Sequence, residues 1–94
     1  MATTHVLDIS TREDIHRRIS RIEGQARGVA RMVDDGRDCQ EVMHQLLALK
    51  AATHSLTLTL FEKYAHHCLL EDDPTASLED KLQRMVRMVS QLSR

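Results

Sequence analysis

The feature that most constrains this chain is a long stretch without glycine or proline. Neither residue occurs between Gly36 and Pro74, and from Val42 to Leu60 apolar residues recur at steps of three and four, with Thr53 as the exception. The pattern predicts one helix over about residues 39–69, roughly 45 Å long. Because the rest of a 94-residue chain is too short to cover such a helix, we expect it to pack against other copies.

Two further amphipathic segments flank this helix. Apolar residues recur at helical spacing from Ile15 to Val33, after possible N-caps at Ser10 or Thr11, and again in the segment that follows Pro74. Aromatic residues make up only 2% of the chain, which disfavours a β-sandwich or barrel. We therefore predict a single all-α domain over 1–94, with residues 1–9 flexible and three helices at about 11–35, 39–69 and 76–93.

Several classes of protein are disfavoured by the same sequence. No apolar run approaches the roughly 20 residues of a membrane span, and the first residues lack the features of a signal peptide. We therefore expect a cytoplasmic protein without membrane contact, in which both cysteines are reduced. No nucleophile–base pair or phosphate-binding loop is present, so we do not expect an enzyme.

The net charge of −1 conceals an uneven distribution of charge. Residues 12–31 carry six arginines against three acidic residues, and 81–94 carry four basic residues and no acidic one. Residues 32–80 carry ten acidic residues against three basic ones. An oligomer would repeat the basic stripe of the first helix, which suits double-stranded DNA. The stripe is predicted to lie away from the Ile15/Ile19/Ile22 seam and comprises Arg17, Arg18, Arg21 and Gln25.

Cys39 and Cys68 fall at opposite ends of the long helix, on nearly the same face, and Tyr64 shares that face. They are too far apart to meet within one chain, since a disulfide needs Cα atoms within about 7 Å. They can meet where two such helices pack antiparallel across a two-fold axis, which creates two identical sites. The alternative is that both cysteines are small buried apolar residues. We favour a shared reactive or metal-binding site.

The histidines do not complete a metal site at helical spacing. His66 points away from the cysteine face, and His67 lies roughly 80° off it. The residue four positions before Cys68 is Tyr64, a poor ligand for Cu(I) or Zn(II). Whether His5 or His67 joins the site stays open.

Four sequence motifs resemble those of the CsoR/RcnR family of bacterial repressors. They are RISRIEGQARG over 18–28, Asp38-Cys39, LALKAA over 47–52, and His67-Cys68. The resemblance covers roughly residues 12–70 and implies a three-helix subunit. It further implies a dimer with an antiparallel four-helix core, assembled as a disc-shaped dimer of dimers. It also implies operator binding without a helix-turn-helix, with DNA-binding or coupling roles for Arg18, Arg21, Gln25 and Lys50.

Within this family, the resemblance is greatest to the persulfide-sensing branch. The copper branch uses Cys, His and Cys, and Tyr64 stands at its histidine position, while Asp38 replaces the tyrosine that often precedes the first cysteine. The nickel/cobalt branch has histidine where Cys68 stands. The formaldehyde branch has an N-terminal proline where this chain has Ala2.

We therefore expect a repressor that uses no cofactor and senses sulfane sulfur. Cys39 and Cys68 of the partner subunit would form di- or polysulfide crosslinks, and the operator would be released. The alternative is a repressor that responds to Cu(I), or another metal, through the same two cysteines. A third hypothesis is a metal-buffering thiol protein with no DNA role, which the basic residues Arg18 and Arg21 disfavour.

Overall fold

The computed structural model describes residues 3–4, 7–70 and 75–92, with side chains for 3–4, 7–67 and 75–92. It contains three helices, α1 (Ile9–Asp34), α2 (Cys39–Leu70) and α3 (Leu78–Leu92), and no strand within the described residues. The predicted all-α class with three helices is confirmed. No helix in the described part of the chain is long and apolar enough to cross a membrane.

Helix α1 begins two residues earlier than predicted, and the predicted cap is wrong. Asp8 has extended backbone, and its Oδ1 accepts a hydrogen bond from the Thr11 N–H at 2.8 Å. Ser10 and Thr11 instead lie in the first turn. Ser10 and Thr11 are each followed three residues later by an acidic residue, which is the spacing of a capping box. Asp8 lies upstream of both and already accepts from one of the free N–H groups of the first turn, so it caps the helix instead.

The end of α1 is a Schellman motif centred on Gly36, as the position of this glycine predicts. Gly36 has φ 68°, its N–H donates to the Val33 carbonyl at 3.1 Å, and the Arg37 N–H donates to the Met32 carbonyl at 2.9 Å. A left-handed residue at this position favours glycine because it has no Cβ. The motif satisfies two carbonyls and reverses the chain into α2.

By its contacts the chain divides into two compact units. One is Leu7–Thr59, and the other comprises residues 3–4 and the described chain from Leu60 onward. In the first unit, Arg18 of α1 donates hydrogen bonds to Ser55 and Thr59 of α2. These residues lie at similar distances along the chain on either side of the turn at Gly36, so the two helices run antiparallel. The expectation of one domain over 1–94 stays a prediction.

In the second unit, α3 is capped by Ser77, whose Oγ accepts a hydrogen bond from the Asp80 N–H at 3.1 Å. The apolar residues of α3 divide into a covered and an uncovered group. Met85 is buried, whereas Leu78 and Val86 remain 63% and 64% exposed. Helix α3 therefore covers only part of its apolar surface within its own unit.

Large apolar side chains are also uncovered in the first unit. Among the described residues Met85 is the one buried apolar residue, so Leu7–Thr59 contains none. Its exposed large apolar residues are Ile9, Ile19, Val33, Met43, Leu46, Leu47 and Leu58. Isolated apolar side chains are ordinary on a protein surface, but a series along paired helices indicates an interface. This surface suits the expected homo-oligomer, but self-association and the number of subunits both stay predictions.

We expect Gly36→Ala to lower the free energy of unfolding by about 1 kcal/mol, because a Cβ is strained in the left-handed region. The matched control is Gly24→Ala inside α1, where a Cβ would meet no atom within 4 Å. Alanine favours the helix there, so the control should raise the free energy of unfolding by about 0.5–1 kcal/mol. Urea unfolding at one protein concentration measures both, and destabilisation by both variants would contradict the expectation.

Candidate functional site

Cys39 is the first residue of α2 and is exposed. The turn that carries it is held by Asp38, whose Oδ2 accepts a hydrogen bond from the Gln40 N–H at 3.0 Å. Asp38 and Glu41 have the spacing of a capping box, but the box does not form, because Asp38 accepts from Gln40 and the Glu41 carboxylate pairs with the Arg37 guanidinium instead. An accessible thiol therefore lies at a capped helix N-terminus beside Arg37, Asp38 and Glu41.

The other residues predicted to sense the inducer lie near the end of α2. Tyr64 is half-buried, and His66 is exposed. Cys68 belongs to the last turns of the helix, but its side chain lies outside the described residues, and His5 lies outside them altogether. His67 is half-buried and makes an interaction of its own. The pairing of Cys39 with Cys68 therefore stays a prediction.

Among the described side chains, no group of three or more His, Cys, Asp or Glu residues could hold a metal ion. A complete site with three protein ligands would need donors beyond the described side chains of one chain. Cys39 is nevertheless a suitable first ligand, because it is exposed and its sulfur is a soft donor that suits a soft metal ion.

Three of the four residues predicted to bind DNA point into solvent. Arg21 and Gln25 on α1 and Lys50 on α2 are exposed and make no hydrogen bond or ion pair among the described residues. Lys50 lies in an open groove of α2 whose other lining residues are Leu46, Leu49, Thr53, His54 and Thr57. Arg21 and Lys50 therefore retain their charge and donors for an external partner.

Arg18 differs, and the prediction that it lies away from the apolar seam is wrong. Its guanidinium is directed at α2, where it donates to Thr59 Oγ1 at 2.9 Å and to Ser55 Oγ at 2.7 Å. The helical spacing explains this orientation. Arg18 lies three residues after Ile15 and four before Ile22, so it borders the helix face that these two residues form. Sequence reasoning missed the two hydroxyl acceptors, because no pattern pairs residues 37 and 41 positions apart.

Three of the exposed arginines of α1 lie on one side of the helix. We call this surface, which consists of Arg17, Arg21 and Arg31, the basic face. At about 100° per residue, Arg21 and Arg31 lie about 40° to either side of Arg17. Gly24 and Gly28 lie between them, and a Cβ at either position would meet no atom within 4 Å. The basic face is therefore unobstructed, which suits a charged backbone such as that of DNA.

The match to a family model decides the family. The model is described as a metal-sensitive transcriptional repressor, and it matches residues 11–91. The chain belongs to this repressor family. The predicted CsoR/RcnR resemblance is thereby confirmed at the level of the family.

Two curated relatives are copper-sensing transcriptional repressors. CsoR of Bacillus subtilis (strain 168) is 40% identical over 60 residues, which cover 64% of this chain and 59% of the relative. RicR of Mycobacterium tuberculosis (strain ATCC 25618 / H37Rv) is 34% identical over 58 residues, which cover 62% of this chain and 60% of the relative. The chain thus spans less than two thirds of the length of these relatives.

Two solved structures share the fold over most of their length. The copper-sensing repressor CsoR with Cu(I) from Geobacillus thermodenitrificans NG80-2 has a TM-score of 0.83 and 32% identity, covering 100% of this chain and 95% of that one. The nickel-responsive transcriptional regulator InrS has a TM-score of 0.75 and 26% identity, covering 85% and 90%. The similarity to the CsoR structure covers the whole chain and so includes α3, beyond the range of the quoted motifs.

These similarities correct the expectation that no cofactor is used. That expectation is wrong, because both curated relatives are copper-sensing and one of the similar structures contains Cu(I). These repressors respond to copper or nickel, so the metal-responsive alternative is favoured over persulfide sensing.

We expect Asp38→Ala to lower the free energy of unfolding by about 1 kcal/mol, because the first turn of α2 loses its cap. Hydrogen exchange at the Gln40 amide should accelerate, since its acceptor is removed. Asp34→Ala is the matched control, because it removes an exposed carboxylate from the end of α1, where negative charge is unfavourable. A loss of stability in the control as large as that in Asp38→Ala would show that the cap is not responsible.

Proposed function

We propose that this protein is a Cu(I)-responsive transcriptional repressor, which binds operator DNA when metal-free and releases it when Cu(I) binds. The observation that carries the proposal is the similarity, over the whole chain, to a copper-sensing repressor whose structure contains Cu(I). The similarity to two further copper-sensing repressors, CsoR of Bacillus subtilis and RicR, supports the same inducer.

Cys39 and Cys68 are the proposed ligands, contributed by different copies of the chain. Thiolates are the ligands that Cu(I) prefers, and Cys39 is accessible at the start of α2. The helical spacing of the two cysteines favours a pairing between antiparallel α2 helices. Tyr64 offers only a hard oxygen donor, so we propose a site dominated by the two thiolates.

Operator DNA is proposed to bind along the basic face of α1 and Lys50 of α2. Arginine and lysine contacts to phosphates supply most of the affinity for DNA. Arg21 and Lys50 support this assignment because both are exposed and lack partners among the described residues. Repetition of the surface in an oligomer would raise the apparent affinity without new kinds of contact.

The first test concerns the two thiols. We expect Cys39→Ser and Cys68→Ser to bind operator DNA like the wild type but to lose the Cu(I)-induced drop in affinity, which is about tenfold or more in coupled systems of this kind. Fluorescence anisotropy of labelled promoter DNA, with and without Cu(I), measures the drop. His66→Ala is the control, because it removes an exposed donor from the same turns of α2 and should leave the response intact.

Sulfane sulfur is the second candidate inducer, and the presence of Tyr64 in place of histidine favours it. The same assay distinguishes it from Cu(I). A persulfide donor should leave DNA binding and the intact mass of the wild type unchanged if the proposal is correct. Release of DNA by the donor alone, with a sulfur-bridged dimer in the mass spectrum, would contradict it.

The second test concerns DNA. We expect Arg21→Ala and Lys50→Ala each to weaken operator binding and to reduce the slope of log affinity against log salt by about 0.9 for each phosphate that the side chain neutralises. Arg27→Ala removes the same charge from an arginine paired with Glu23 at 3.8 Å and outside the basic face. This control should retain the wild-type slope. Unchanged slopes in both Arg21→Ala and Lys50→Ala would show that DNA binds elsewhere.

A further inference from the structure

Arg18 of α1 holds two hydroxyl groups of α2 at the same time. Nη1 donates to Thr59 Oγ1 at 2.9 Å, Nη2 donates to Ser55 Oγ at 2.7 Å, and Asp14 Oδ2 lies 3.6 Å from Nη1. Ser55 and Thr59 are one helical turn apart, so the planar fork of the guanidinium spans both. We call this arrangement the Arg18 clamp.

The Arg18 clamp differs from the other ion pairs of α1. Arg17 pairs with Asp14 and Arg27 with Glu23, each within α1, and these arginines are 63% and 67% exposed. The Arg18 side chain is 24% exposed and bonds across to α2. Exposed pairs along one helix contribute little to stability. Two directed bonds between helices, in contrast, define how far α1 can shift along α2.

The acceptors belong to a stretch of α2 that is rich in hydroxyl side chains. Thr53, Thr57 and Thr59 each donate to the carbonyl four residues earlier, at 2.9, 2.9 and 3.1 Å. Such bonds compete with the helix and favour bending, and β-branched residues are weak helix formers. This stretch of α2 therefore bends more easily than a stretch of strong helix formers would.

The Arg18 clamp lies near the end of the first unit and connects α1 to α2. Thr59 is the last residue of the unit Leu7–Thr59, and α2 continues from it to Tyr64 and Cys68. On α1, Arg18 follows Arg17 directly and precedes Arg21 by three residues in the sequence, so it belongs to the same turns as these two residues of the basic face. The clamp thus joins α2, which carries both proposed metal ligands, to α1, which carries the basic face.

We infer that Arg18 is a positioning residue and not a phosphate contact. It couples a change in the conformation of α2 to the position of the basic face of α1. The inference rests on the proposed function and assigns to Arg18 its part in the response. Cu(I) binding at Cys39 and Cys68 alters α2, the two hydroxyls move with it, and the guanidinium carries the displacement to Arg17 and Arg21.

The test removes the acceptors and leaves the charge of Arg18 in place. The double variant Ser55→Ala/Thr59→Val should bind operator DNA without metal within about threefold of the wild type, with an unchanged salt slope. Its ratio of operator affinities without and with Cu(I) should fall at least about fivefold below that of the wild type. A change in that ratio at equal metal-free affinity is not expected from a purely structural defect.

Two further variants serve as controls. Thr57→Val removes a hydroxyl and its carbonyl bond from the same stretch but does not touch the Arg18 clamp, so it should keep the wild-type ratio. Ser55→Thr/Thr59→Ser retains both hydroxyls and should restore the ratio. Arg18→Lys keeps the charge but loses the fork, so its ratio should fall with that of the double variant while its salt slope stays unchanged.

Each opposing outcome has a distinct meaning. A wild-type ratio in Ser55→Ala/Thr59→Val would overturn the coupling role while leaving the proposed repressor function intact. A smaller salt slope in Arg18→Ala, with a wild-type ratio in the double variant, would make Arg18 a phosphate contact instead. Failure of wild-type protein to release DNA with Cu(I) would overturn the proposed function, and the inference together with it.

Discussion

The property on which the rest of this structure depends is the continuity of α2, which runs for 32 residues without glycine or proline. Its partner in the first unit, α1, leaves large apolar residues such as Leu46 and Leu47 in solvent. Full burial of such a side chain contributes about 1.5–3 kcal/mol, so another copy of the chain would gain much by covering them. The length of one helix thus makes self-association the expected route to stability.

The same helix carries the proposed inducer chemistry and part of the proposed DNA surface. Cys39 begins α2, Lys50 lies along it, and Cys68 is in its last turns. A change at the cysteines can therefore reach Lys50 through continuous backbone hydrogen bonds. Reaching α1 requires a side-chain connection, and the hydrogen bonds of Arg18 to α2 provide one. The two observations together give a physical basis for coupling metal binding to DNA release.

Local patterns predicted much of the fold because helices are specified by near neighbours. The three helices, the glycine terminator at Gly36 and the cap at Ser77 all follow from spacing within a few residues. Errors arose where two local signals competed. Asp8 caps α1 in place of Ser10 or Thr11, and Glu41 pairs with Arg37 instead of closing its capping box. Similar local energies leave such choices open from sequence alone.

Periodicity and residue type were enough to predict the all-α class, the repressor family and the candidate cysteines. The environment of Arg18, in contrast, depends on how α1 packs against α2. Its hydroxyl partners lie 37 and 41 residues away, and such contacts exist only once α1 and α2 have packed antiparallel. Tertiary packing also left Arg21 and Lys50 without partners among the described residues. The four residues assigned to DNA binding thereby divided into one that joins helices and three that face solvent.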